Sequence, residues 1–138
     1  MSNHTYTCMK KVYFAGAILK WDGDTTDMYP RIIDVLKKHF DVLSEHVNRW
    51  KPTSMTPREV FLRDVGMIDQ ADIVIAEVSA PSHWVGREIA YAQFHANIPV
   101  YLLHRAGGKV SFMLIGNDGM PQDHICSWET LEDIDVFC

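Results

Sequence analysis

The sequence predicts an α/β domain of three layers, with helices on both faces of a parallel sheet of about five strands. Three observations carry this reading. Short apolar runs rich in β-branched residues alternate with longer segments whose apolar residues recur at helical spacing. The most apolar of the runs, Ile73-Val74-Ile75 with Glu77-Val78 at its end, is continuous rather than alternating, as in a strand buried on both faces. The runs end in Gly, Pro or Ser signals that mark turns.

Taken in order, residues 1–10 are expected to form a disordered lead, and residues 11–138 a single domain. The run VYFAG after Lys11 predicts a first strand ending at Gly16, where the absent side chain lets a ligand approach the backbone. Tyr13 lies in this strand, and its hydroxyl needs a partner if it is buried. A polar loop, Lys20–Thr26, follows. From Tyr29 to Phe40 an apolar stripe with Pro30 near its start predicts a covering helix, and Asp41–His46 a short second strand. Val47–Met55 has no clear period and reads as a loop able to fold over a site.

Thr56-Pro57-Arg58-Glu59 has the form of a capping box with proline at the first helical position, predicting a helix to about Gln70. The central strand then enters a Ser/Pro-rich turn and a further helix with Gly86 near its start. Pro99–Arg105 predicts another strand with a turn at Ala106-Gly107-Gly108. A short helix in Val110–Ile115, a loop at Gly116–Gly119, a last strand at His124–Trp128 and a helix in Glu129–Phe137 complete the chain. Units of these lengths imply a flavodoxin-like (Rossmann-like) strand order.

Composition narrows the function. A net charge of −5 argues against a surface that coats DNA or RNA, though not against a small anion held by local N–H groups. No apolar run approaches the roughly 20 residues that span a bilayer, and MSNHTYTC lacks the apolar core of a signal peptide, so a cytoplasmic protein is expected. Neither the cysteines, Cys8, Cys126 and Cys138, nor the histidines have the spacing of a metal site.

Two acids stand out. Glu88 has Trp84 and Val85 four and three residues before it, and Tyr91 and Ala92 three and four after, so it falls within an apolar stripe. Glutamate near a helix start is also an ordinary capping or dipole-stabilising residue, and its position alone leaves both readings open. Asp64 sits likewise among Val60, Phe61, Met67 and Ile68. Buried and ionised it would be costly without a partner, and a structural role would need Arg63 or Arg58 to supply one.

The segments VYFAGAI (Val12–Ile18), LSEHV (Leu43–Val47), Asp64 and ADIVIAEVSAPSHWVGREIAYA (Ala71–Ala92) resemble the nucleoside 2-deoxyribosyltransferase superfamily, most closely its branch of 2'-deoxynucleoside 5'-phosphate N-hydrolases. The likeness runs from Lys11 to about Trp128, and its most specific element is Pro-Ser-x-x-x-Gly-x-Glu, Pro81 to Glu88, with Asp64 24 residues before the glutamate. It implies a double displacement at the anomeric carbon of a deoxyribose. Glu88 matches the nucleophile, Asp64 the acid/base group and Tyr13 the residue that holds the nucleophilic carboxylate. Ile18 matches a contact to the sugar face, Ser82 a phosphate-binding serine, and Gly16 and Gly86 fall in the matched substrate-binding segments. Ser111 stands near a phosphate-binding serine supplied by a neighbouring subunit, so a homodimer or larger assembly is implied. No metal or organic cofactor is.

The chemistry is consistent with two carboxyls of different proton affinity in a partly apolar cleft. The sequence departs from the hydrolase branch at Ala17 and Leu19, where a serine and an arginine grip the 5'-phosphate; Lys20 or Lys109 are the cations that could compensate. A deoxyribosyltransferase acting on unphosphorylated nucleosides therefore remains an alternative, and a non-catalytic nucleotide-binding module is an alternative of another class. Trp50, Trp84 and Phe112 suit an interface or a core equally well.

Overall fold

Five parallel strands form one sheet: β1 (Lys11–Gly16), β2 (Asp41–Val42), β3 (Ile73–Glu77), β4 (Val100–Arg105) and β5 (Ile125–Trp128), in the order β2-β1-β3-β4-β5. The computed structural model describes residues 9–17, 27–44 and 54–138. Most of the lead, the loop Lys20–Thr26, Ile18, Leu19 and Trp50 lie outside the described residues. The helices are α1 (Tyr29–Leu36), α2 (Pro57–Gln70), α3 (His83–Tyr91), α4 (Phe112–Ile115) and α5 (Leu131–Phe137). The strand order is the predicted one. Its direction of travel reverses between β1 and β3, the point at which open α/β sheets leave a crevice.

Side-chain alternation divides the core into two faces. Val12 and Phe14 of β1, Ile73 and Ile75 of β3, and Trp128 of β5 pack beneath Ile32, Ile33 and Leu36 of α1 and Ile134 of α5. Tyr13 and Ala15, Val74 and Ala76, and Leu102 of β4 face the other way, against Ile68 of α2 and Val85 and Ile89 of α3. Register pairs Tyr13 with Val74 and Gly16 with Glu77, so the β1 and β3 carboxyl ends lie side by side.

Two elements are shorter than the sequence pattern predicts. The helix expected to reach Phe40 ends at Leu36, because Lys37, Lys38 and His39 form a turn whose N–H groups close on Ile33, Val35 and Leu36. Phe40, partly buried, still packs against the core and its N–H closes on the Leu36 carbonyl at 2.8 Å, so the apolar stripe outlasts the regular helix. Among the described residues the second strand, expected to run to His46, pairs through Val42, with the Leu43 N–H still closing on the Val12 carbonyl at 2.9 Å; Glu45 and His46 lie outside the described residues. Beyond it the Ser44 hydroxyl, fully buried, accepts from the Phe14 N–H at 2.7 Å and donates to the Phe14 carbonyl at 2.9 Å. A side chain there does the work of a further ladder rung. Past Tyr91, α3 widens into a π-helical turn, Ala92–Ala96, closed by Asn97 in the left-handed region at φ 55°.

Gly16 is small for a reason internal to the fold. A Cβ there would meet the Tyr29 ring at 2.6 Å, and that ring is held by the Ala17 N–H on its hydroxyl at 2.9 Å and by an edge contact to Phe14. Gly66, inside α2, has nothing within 4 Å of a Cβ. The two glycines should therefore respond to alanine with opposite signs. In urea unfolding, Gly16→Ala is expected to destabilise by about 1–3 kcal/mol through overpacking, and Gly66→Ala to stabilise by roughly 0.5–1 kcal/mol through helix propensity.

Candidate active site

Three elements bring their polar groups to one place. β1 turns Tyr13 onto the face covered by α2 and α3, leaving the side chain 1% exposed. α2 starts at Thr56, whose hydroxyl accepts from the Glu59 N–H while the Glu59 carboxylate accepts from the Thr56 N–H; this capping box fixes the register that turns Asp64 inward. α3 starts at Ser82, whose Oγ accepts from the Val85 N–H at 3.2 Å, and one to two turns later Glu88 points at the sheet. Asp64 and Glu88 are 4% and 6% exposed.

The Tyr13 hydroxyl donates to Glu88 Oε2. Asp64 accepts from Arg63 Nε on Oδ1 at 2.9 Å and from the Trp84 indole N–H on Oδ2 at 3.0 Å. Of the two arginines weighed for Asp64 in the sequence, the structure uses Arg63. Burial pushes the Glu88 carboxyl up to about 8; the Tyr13 and Trp84 donors act against this and the Asp64 charge adds to it. Tyr13 is held well above the usual phenol range, first by burial and then by the charges of Glu88 and Asp64. Such a group gives up its proton to nothing at ordinary pH and serves as a fixed donor.

Glu88 and Asp64 line one cleft of about 1040 Å³ between α2 and α3. Its walls are largely apolar, with Val60, Phe61, Trp84 and Phe94 among them, and Arg87 lies over the Phe61 ring at 5.8 Å. Ser82 is not among the residues that line the cleft, and six residues of helix, about 9 Å, separate it from Glu88.

The remaining residues singled out in the sequence are spread more widely. Gly16 receives Tyr29, and Ala17 directs its N–H to the same ring's hydroxyl. Ser82 is the α3 N-cap, and Gly86, on the same helix, has open space where a Cβ would be. Ser111 is exposed at the start of α4 and does not line the cleft with Glu88. Among the described residues no three His, Cys, Asp or Glu side chains converge as a metal site would require.

Two features are missing from the sequence reading. Trp84 is a donor to Asp64, where the sequence offered only core or interface. Glu77 is a third buried acid, fully buried on the α1 and α5 face: Oε1 accepts from the Ser79 N–H at 2.6 Å and Oε2 from the Trp128 indole at 2.6 Å. Burial raises its proton affinity and these donors oppose the shift. An acid closing an otherwise apolar strand is the signal that could have found it.

A relative from Methanosarcina mazei, whose name is given as "Putative 2'-deoxynucleoside 5'-phosphate N-hydrolase 1", is 35% identical over 113 residues, covering 78% of this chain and 70% of the relative. The Tetraodon nigroviridis 5-hydroxymethyl-dUMP N-hydrolase is 32% identical over 115 residues, covering 78% and 80%. No family model matches the chain. Among solved structures, a Clostridium botulinum CMP N-glycosidase superposes with a TM-score of 0.61 at 16% identity, over 93% of this chain and 94% of the other, a likeness of fold.

The Glu88 shift makes a stability prediction. An unfolded chain titrates this carboxyl near the ordinary glutamate value of 4.5, and the folded protein at about 8, so between those values the folded state binds more protons and stability falls as pH rises. Glu88→Gln carries no such penalty. Calorimetry should find the variant more heat-stable than the wild type by on the order of 5 °C at about pH 9, with the gain shrinking toward about pH 5.

Proposed function

The chain belongs to the 2'-deoxynucleoside 5'-phosphate N-hydrolase family, and from that premise we propose that it hydrolyses the N-glycosidic bond of 2'-deoxynucleoside 5'-monophosphates. The products are free base and deoxyribose 5-phosphate. The observation that carries this reading is that Asp64 and Glu88 line a single cleft, with the Tyr13 hydroxyl donating to Glu88 from beneath.

In the first step the Glu88 carboxylate attacks the anomeric carbon. A bond forms between its oxygen and that carbon, the carbon–nitrogen bond to the base breaks, and the Asp64 carboxyl gives its proton to the departing base. In the second step water attacks the same carbon, Asp64 takes a proton from it, and the ester to Glu88 breaks. The positive charge that develops on the sugar favours an ionised carboxylate beside it. Tyr13, which keeps its proton, holds Glu88 in line throughout.

Ser82 and the α3 N-terminus are assigned to the 5'-phosphate. The Ser82 oxygen accepts from the Val85 N–H and so keeps its own O–H to donate, while the helix dipole places positive potential there. Gly16, Ile18 and Gly86 are assigned to the sugar and its surroundings. Ser111 serves the site of a second copy in a homodimer, which accounts for its place outside its own chain's cleft. The protein acts in the cytoplasm on small nucleotides, with no cofactor.

Incubation with a panel of deoxynucleoside monophosphates, and of the unphosphorylated nucleosides with and without an acceptor base, tests the proposal. Free base and sugar phosphate are expected from the monophosphates, with kcat/KM falling as pH passes about 8, where the Glu88–Asp64 pair loses the one proton that the departing base must receive. Glu88→Gln should lower kcat by at least about 10²-fold. Transfer products without free sugar would instead identify a deoxyribosyltransferase. With a monophosphate whose base departs without being protonated, Asp64→Asn, slowed at the water step, should accumulate a 5-phosphodeoxyribosyl adduct on Glu88 that mass spectrometry of its peptide detects; an adduct on another residue would reject the assigned nucleophile.

A further inference from the structure

We propose that Trp84 is a positioning residue for the acid/base step, its indole N–H fixing Asp64 Oδ2 so that this carboxyl faces the departing base while Arg63 secures Oδ1. The inference rests on the hydrolytic role given to Asp64 above, and on geometry that belongs to Trp84 itself. Its N–H lies 3.0 Å from Asp64 Oδ2, so a donor on α3, one turn before Glu88, reaches across to the acid of α2. The ring lines the cleft and is 36% exposed, at the boundary between the acids and the space a base would occupy.

The physical need for such a residue is specific. A carboxylate side chain on a helix can rotate about its terminal bond, and Arg63, next to Asp64 in sequence, donates from Nε to Oδ1 while its Nη1 donates to Met55 Sδ at 3.6 Å. A hydrogen bond to one oxygen alone does not fix the plane of a carboxyl. A second donor on the other oxygen fixes the plane. An indole suits the task because it offers one N–H and no acceptor, so it cannot take the proton that Asp64 must pass to the base. Its rigid, largely apolar ring also keeps water from the side of the cleft where the carbon–nitrogen bond breaks.

Trp84→Phe keeps the ring and deletes the donor. With a deoxynucleoside monophosphate that the wild type cleaves, kcat should fall about tenfold while KM stays within about twofold, since the contact is made to a catalytic group and not to substrate. In an Asp64→Asn background the same substitution should change kcat by less than about twofold, because the group it acts through is gone. Equal losses in both backgrounds, or an effect confined to KM, would overturn the inference. A second readout needs no turnover. In protein labelled with ¹⁵N-tryptophan, the Trp84 indole proton, assigned by its absence from Trp84→Phe, should move upfield in Asp64→Asn. A resonance that does not move in that variant refutes the contact and this inference alone. A wild type that releases no base from any deoxynucleotide, with the resonance moving as expected, refutes the proposed function and with it the role given to Trp84.

Discussion

A buried carboxyl held by a tyrosine hydroxyl is the constraint on which the rest of this molecule turns. Glu88 could be solvated anywhere else on α3; here it faces the sheet and meets Tyr13 from β1. That contact requires β1 to present Tyr13 on the α2 and α3 face, and therefore sets which residues of β1 go to which core. It also sets how closely α3 lies to the sheet, and the strand residues beneath are correspondingly small, with Ala15 and Ala76 buried on that face. Asp64 adds a second acid to the same cluster, so donors must come from all sides: Tyr13 from the sheet, Arg63 from α2 and Trp84 from α3. A buried carboxylate without such partners would cost several kcal/mol.

The start of α3 is fixed by the opposite face of the sheet. Glu77 closes β3 and uses one oxygen to take the Ser79 N–H, while the Ser79 hydroxyl accepts the Arg105 N–H at 2.9 Å. The turn between β3 and α3 is thereby tied to β3 itself and to the end of β4. The Trp128 indole on the other Glu77 oxygen, with the Arg105 guanidinium over the Trp128 ring at 4.3 Å, extends the tie to β5. Because Ser82 and Glu88 ride on one short helix, securing its first turn secures both. An acid on one face of the sheet thus helps to place the acid on the other.

How far the sequence could be read follows from what its patterns encode. Apolar periodicity reports burial, so it located every strand, the two faces of α2 and α3, and the inward direction of Asp64 and Glu88. It overran at Phe40, which is partly buried but beyond the regular helix, and at Ser44, where a hydroxyl replaces the backbone ladder. Spacing along a helix also could not pair Asp64 with Trp84, which is 20 residues away on another helix. A tryptophan in an apolar stripe reads as packing because most of its surface is apolar; the direction of its single N–H is a property of tertiary structure. Glu77 was visible as a letter in an apolar strand, yet its partners Ser79 and Trp128 come from a turn and from the far edge of the sheet. The family resemblance drew Tyr13 into the site, where local reasoning required only some partner for its hydroxyl.

The resting charge state of the cluster bears directly on how it could work. With Glu88 pushed up to about 8, the carboxyl is largely protonated at neutral pH in the absence of a ligand. Asp64, by contrast, is set among hydrogen-bond donors on both oxygens, an arrangement that suits an acceptor. Nucleophilic attack by Glu88 and proton donation by Asp64 call for the reverse distribution. A proton therefore has to change places when substrate arrives, and the contacts indicate what could drive it. A sugar carbon gaining positive charge stabilises the ionised form of the carboxyl beside it, and a base nitrogen presented to Asp64 offers a proton acceptor in place of a donor. Tyr13 need not change, since its proton stays on oxygen in either state. Under the proposed mechanism neither acid is active alone, and the substrate supplies the electrostatic difference that sorts one into nucleophile and the other into acid.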